Sequence, residues 1–161
     1  MYLLDANIFI TAKNQHYGFD FVPAFWEWLD QGHAAGILAS VAKVFDEIDD
    51  GSDELTTWAT ARKPVFLEPD AATLRSYAQL SAWADSSLTY TQSAIQTFLA
   101  NADYQLVAHA HAHGHTVVTH EKPRPNSKSR ILIPDACSAM NVDWIGPWEM
   151  LRAESARFVL P

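Results

Sequence analysis

The sequence predicts an α/β fold in which helices cover both faces of a central, mostly parallel sheet, a three-layer α/β/α arrangement. Strand and helix signals alternate from the first residues to the last. The opening Tyr2-Leu3-Leu4 is a short apolar run that ends in a charge, Asp5, and the β-branched run His115-Thr116-Val117-Val118-Thr119 ends at His120 and a second acid, Glu121. Strands that alternate with helices pair in parallel and are joined by crossovers. At 161 residues the chain fits one domain, 1–161, with a core that needs neither disulfides nor a structural metal.

Composition narrows the classes. An apolar fraction of 48%, with six Trp and eight Phe, excludes a disordered chain. Cys137 is the sole cysteine, so no internal disulfide can form and a reducing compartment is expected. The first apolar run is interrupted by Asp5, and nowhere do about 18 apolar residues follow one another, so no membrane segment is expected and cytoplasm is the expected location. The formal charge of −8 argues against binding nucleic acid through a general positive field; a polyanion would have to be met locally.

Taken in order, β-strand signals at Tyr2-Leu3-Leu4 place Asp5 where the chain leaves the sheet. Ligands of open α/β sheets bind at that edge, which makes Asp5 a candidate site residue; a cap for the following helix is the alternative. Pro23 near the start and Gly32 after the end bound a helix with Phe21, Phe25, Trp28 and Leu29 on its buried stripe. Gly36-Ile37-Leu38-Ala39 reads as a second strand. Ser40 then reads as the N-cap of a helix that buries Val41, Val44, Phe45 and Ile48, with Glu47 and Asp49 on opposite edges of the stripe; periodicity does not choose between those two acids. A helix over 53–62 turns Leu55, Trp58 and Ala59 inward and stops before Pro64. Two more are expected over 71–84, along Ala71, Leu74 and Ala78, and over 86–100, along Leu88, Ala94, Ile95, Phe98 and Leu99.

The next helix opens at Asp103, above an apolar stripe of Leu106, Val107 and Ala110, where the helix dipole favours an anion; Gly114 closes it. After the strand ending at Glu121 comes a loop that holds four of the eleven basic residues, Lys122, Arg124, Lys128 and Arg130. A short strand at Ile131-Leu132-Ile133, a short helix from Pro134, a last strand over 142–145 and a last helix over 147–156 complete the chain.

Carboxylates therefore recur at one edge of the sheet: Asp5, Glu121, and, on the connecting helices, Asp103 with Glu47 or Asp49. Gathered in one cleft they would repel each other and take up protons unless a cation offset them. Mg²⁺ or Mn²⁺, which prefer oxygen ligands, would activate water and stabilise charge on a phosphoryl group.

At this point the residues resemble a family, the PIN-domain ribonucleases, and especially the VapC-like toxins of bacterial type II toxin-antitoxin systems. The matching pieces are Leu3-Leu4-Asp5-Ala6-Asn7, Ser40 followed seven residues later by Glu47, Asp103 opening its helix, and Val117-Val118-Thr119-His120-Glu121. The resemblance chooses Glu47 over Asp49. It implies that Asp5, Glu47 and Asp103 ligate metal and that Glu121 fills the place of a fourth acid, through water in preference to direct ligation, because most members carry the shorter Asp there. His120 and the run Ile133 to Cys137 resemble a toxin-like subgroup. Asn7 and Thr119 match positions lining the acidic pocket, although turn chemistry and strand propensity account for them equally well. Asp135 is a further pocket candidate, though an acid in a first helical turn is ordinary.

Lys122, Arg124, Lys128 and Arg130, with Lys13 as a weaker member, could meet RNA phosphates beside the pocket. His109, His111, His113 and His115 lack the spacing of a zinc motif and read as surface histidines; Cys137 reads as a buried structural thiol. The resemblance thus implies a metal-dependent endoribonuclease acting on RNA, a cognate antitoxin, commonly a small DNA-binding protein, and homodimerisation. Two alternatives stand beside it. One is a non-catalytic module of the same fold. The other is an Asp-nucleophile phosphatase, weakened because its acid/base position holds Asn7, which cannot transfer a proton in that way.

Overall fold

The computed structural model describes residues 1–159, so the last two positions of the expected 1–161 unit lie outside it. Five strands form one parallel sheet: β1 (Tyr2–Leu4), β2 (Leu38–Val41), β3 (Phe66–Leu67), β4 (Thr116–Val118) and β5 (Trp144–Ile145), in the order β3-β2-β1-β4-β5. Every pairing is parallel, with Leu3 opposite both Ala39 and Val117. Nine α-helices connect them among the described residues: α1 (Ala6–Thr11), α2 (Pro23–Ala34), α3 (Ala42–Asp49), α4 (Glu54–Thr60), α5 (Ala71–Ser86), α6 (Gln92–Ala100), α7 (Ala102–His113), α8 (Ile133–Ala139) and α9 (Pro147–Ala153).

The order of strands sets the place of the site. From β1 the chain builds outward through β2 and β3, then returns to lay β4 on the other flank of β1. Connections therefore leave β1 and β4 in opposite directions and open a crevice beyond their carboxyl ends, where ligands of such sheets bind. Leu3, Leu4, Leu38, Val41, Val117 and Val118 are buried, so the middle strands are apolar on both faces as a covered parallel sheet requires.

Local chemistry explains the helix ends. Asp53 caps α4 by accepting from the backbone N–H groups of Leu55 and Thr56, and Gly114 ends α7 in the left-handed conformation with φ 65°.

Several elements differ from expectation. Ser40 is not an N-cap: it lies in β2, and its buried hydroxyl donates to the Leu4 carbonyl at 2.6 Å, while Val41 precedes α3 in extended backbone. The strand thus runs two residues further than its apolar pattern. Gly32 lies within α2, because a Cβ there would come within 2.7 Å of Leu38; the helix needs a bare backbone to approach β2. The buried stripe of α2 is Phe25, Trp26 and Leu29, with Phe21 exposed ahead of the helix and Trp28 half-buried. On α5 the inward face is Thr73, Ser76, Leu80 and Ala84, and Leu74 and Ala78 face solvent. Helix α6 starts later than expected, capped by Thr91, which leaves Leu88 exposed in the loop. Ile131 and Leu132 are buried but irregular, and Ile133 already belongs to α8.

Candidate active site

Asp5 follows β1 and Thr119 follows β4, on the two sides of the crevice. Asp5 is 3% exposed and its Oδ2 accepts a hydrogen bond from Thr119 Oγ1 at 3.0 Å; the same hydroxyl accepts from the Glu121 backbone N–H at 3.1 Å. Although Asp5 stands at the N-cap position of α1, its side chain makes no capping hydrogen bond there. Burial pushes its carboxyl up to about 6; the Thr119 hydroxyl opposes that rise, and the charges of Glu121 and Glu47 add to it.

Helices α3 and α7 bring two more acids to the crevice by completing each other. Gln105 of α7 accepts from the Lys43 N–H in the first turn of α3 at 2.9 Å, and Glu47 of α3 accepts from the Ala102 N–H at the start of α7 at 3.3 Å. Next to Ala102 stands Asp103, whose carboxylate accepts no hydrogen bond among the described residues. Burial, then the charges of Asp5, Glu121 and Glu47, push it up to about 8, with Arg130 opposing. Asp49 makes no corresponding bond to α7; both acids are exposed, so the bond to Ala102 is what distinguishes Glu47.

Glu121 is engaged at both oxygens. Its Oε1 accepts from Arg130 Nη2 at 2.5 Å and its Oε2 from the Ile133 N–H at 2.7 Å, so it satisfies a donor at the start of α8 while its charge still bears on Asp5 and Asp103. The extra methylene of Glu lets it span that distance. Among the described residues no three acidic, histidine or cysteine side chains stand close enough to enclose a metal ion as they are placed. In kind the donors suit a hard divalent cation: oxygen ligands, mutually repelling, two of them largely withdrawn from water.

The basic loop forms a cleft of about 390 Å³ beside Glu121, with His120, Lys122, Arg124 and Arg130 in its lining. Asp135 helps hold this loop, accepting from the Arg124 N–H at 3.0 Å. Lys122 lies 6.0 Å from the Trp144 ring centre, and Lys128 is exposed outside the cleft lining. Lys13 pairs with Asp53, in a second cleft of about 130 Å³ that it shares with Glu47. Asn7 is exposed on the first turn of α1.

The histidines at the far end of α7 were expected on the surface from sequence, and not all of them are. His109 is buried, its Nδ1 3.2 Å from the Thr73 hydroxyl, and its ring lies 4.6 Å from that of His113. Burial, with His113 and His115 adding to it, pushes His109 down to about 4. Cys137 is buried, and burial raises its thiol. Gln105, which ties α7 to the start of α3 behind the acids, carried no signal in the sequence, whereas Ser40 was singled out as a cap and instead anchors β2 to the Leu4 carbonyl next to Asp5. Trp148, exposed at the start of α9 just beyond β5, stood at a strand end and could have been found from that position.

Residues 2–158 match the model of a protein family described as a domain of unknown function (DUF4411). Among solved structures, that of VapBC2 from Rickettsia felis bound to a DNA fragment from their promoter is similar to this chain. The TM-score is 0.53 at 18% identity, covering 90% of this chain and 97% of that one. At that identity the likeness is one of fold, and the fold is PIN-like. No curated protein matches in sequence.

Proposed function

The chain belongs to the DUF4411 family, and from that premise we propose that it is a metal-dependent endoribonuclease, the toxin of a toxin-antitoxin pair. The observation that carries this reading is the convergence of Asp5, Glu47, Asp103 and Glu121 on the crevice between β1 and β4, with charges that act on one another. Asp5, Asp103 and Glu47 would hold Mg²⁺ or Mn²⁺, with Glu121 reaching it through water. When bound, the ion supplies an activated water and offsets charge on the phosphodiester.

The chain's own residues have distinct parts. Thr119 orients the Asp5 carboxylate through the bond to Oδ2, and the paired helix ends keep Glu47 and Asp103 side by side. Lys122, Arg124 and Arg130 draw the RNA backbone into the cleft beside the acids, supplying locally the positive field that a chain of charge −8 lacks. The partner would be a small DNA-binding antitoxin; that the similar VapBC2 complex is bound to promoter DNA supports this choice. Among the described residues no helix is long and apolar enough to cross a membrane.

One observation favours a second reading, a binding module without catalysis: the fourth acid is occupied by Arg130. Incubating the purified chain with structured RNAs, with and without Mg²⁺ or Mn²⁺, beside Asp5→Asn and Asp103→Asn variants, separates the two. Cleavage that needs metal and is lost in both variants is expected. Cleavage that ignores a chelator would sink the metal-nuclease reading, and tight binding to an adjacent gene's product without any cleavage would favour the module.

A further inference from the structure

We propose that the indole of Trp148, set between the imidazoles of His16 and His120, is a stacking platform for one unpaired nucleobase next to the phosphodiester presented to the carboxylates. This rests on the nucleic-acid reading above and adds to it a site for the base.

Three observations carry it. Trp148 lies at the start of α9, directly after β5, at the same carboxyl edge of the sheet as Asp5 and Thr119, and it is 40% exposed although large and apolar. Its ring is fixed at steep angles by two imidazoles, His16 at 5.2 Å and 77° and His120 at 6.1 Å and 66° between centroids and planes. His120 joins this aromatic surface to the basic one, because it also lines the cleft of Lys122, Arg124 and Arg130, and in the chain it lies between Thr119 and Glu121.

The chemistry of the neighbours selects the occupant. A cation-lined groove that continues into aromatic side chains is the combination that holds single strands, with phosphates in the groove and bases on the rings. The recess beneath Trp148, among Ile8, Ala12, Phe25 and Met150, has a volume of only about 10 Å³. A base cannot enter it, so it stacks on the exposed surface. An aliphatic side chain of a protein partner would fit the apolar rings but would leave the adjoining cations unanswered.

The test compares the full chain with Trp148→Ala and Trp148→Phe. Two fluorescein-labelled probes are used, a mixed-sequence unpaired RNA and an abasic ribose-phosphate strand of the same length, and binding is read by anisotropy without metal. Wild type and Trp148→Phe should prefer the RNA over the abasic strand by about tenfold, the size of one stacking contact. Trp148→Ala should lose that preference while keeping its affinity for the abasic strand and an unchanged circular dichroism spectrum. In the cleavage assay Trp148→Ala should raise KM about tenfold with kcat kept. An RNA preference that persists in Trp148→Ala overturns the platform even if the chain cleaves RNA. Trp148-dependent binding with no cleavage leaves the platform standing and removes the nuclease. No binding to either probe removes both.

Discussion

Thr119 donates a hydrogen bond to Asp5 across 114 positions of sequence, and the bond, 3.0 Å long, bridges the two strands between which the crevice opens. Both residues are buried. Replacing Thr119 by Val removes the donor while keeping the shape, and the Asp5 carboxylate loses its orientation. Outer partners of this kind typically change metal affinity or activity by about 10–100-fold, and a loss in that range is expected in metal-dependent cleavage, with Thr119→Ser restoring most of it. Equal activity of the Val variant would mean that Asp5 is held by other contacts.

Asp103 costs stability where it stands, being pushed up to about 8 by burial and by three neighbouring acids. Its charged form is disfavoured in the fold, so stability declines as pH rises from about 4 towards 8. As a proposed metal ligand, Asp103→Asn should abolish cleavage, and yet be more stable at pH 7.5 without metal by about 1–3 kcal/mol, with a correspondingly higher melting temperature. Mg²⁺ should raise the melting temperature of wild type and leave that of the variant nearly unchanged. A variant that melts lower would show that the Asp103 carboxylate contributes packing or bonds that outweigh the repulsion.

Arg130 competes with a cation for Glu121. In Arg130→Ala the Oε1 oxygen is released and a positive charge leaves the neighbourhood of Asp103. Mn²⁺ affinity, followed by titration calorimetry, should rise about fivefold, roughly 1 kcal/mol for a partly exposed pair. Unchanged affinity would place Glu121 outside the metal's reach.

Gln105 supports the site without facing it. Gln105→Leu leaves the Lys43 N–H at the start of α3 without its partner, which should lower stability by about 1 kcal/mol. Cleavage should fall with it, because α3 carries Glu47. Chemical denaturation and the RNA assay on one preparation check both effects.

His109 sets an acid limit. Its imidazole is held neutral to about 4, whereas in the unfolded chain it takes up a proton near 6.5. The unfolded state binds more protons between these values, so the contribution is complete above about 6.5 and is lost as pH falls towards 4. Asp5 acts with the opposite sign, since its raised carboxyl favours the fold as pH falls below about 6. Comparing wild type with His109→Gln isolates the histidine: between pH 7 and 5 wild type should lose about 2 kcal/mol more.

What was legible in the sequence was whatever is decided locally. The apolar run before Asp5 and the helix-closing Gly114 each follow from a few adjacent residues, and with strand-helix alternation they gave the sheet and the positions of three acids along the chain's elements. Misreadings arose where a distant partner decides. Ser40 looked like a cap because the Leu4 carbonyl that binds it is 36 positions away. On α5 the apolar Leu74 faces solvent because Thr73 and Ser76 turn inward to His109 and His111, a polar interface that hydrophobic periodicity cannot register. Strand β3 is two residues long, too short to show any period. The engagement of Glu121 with Arg130 and Ile133 was equally out of reach, since it depends on how a loop folds back.

Because α3 and α7 each finish the other's first turn, the spacing of Glu47 and Asp103 can change only if both helices lose a cap. The opposite wall of the cleft is held more loosely: residues 122–130 form a largely solvent-exposed segment without helix or strand, fastened by Asp135 and Glu121 near its ends and by the Thr91 N–H, which donates to the Lys128 carbonyl at 2.8 Å. One half of the crevice is thus a fixed jaw and the other an adjustable one. Insertions, deletions and charge changes in the adjustable half can alter which polyanion is gripped while the distance between the acids stays as it is.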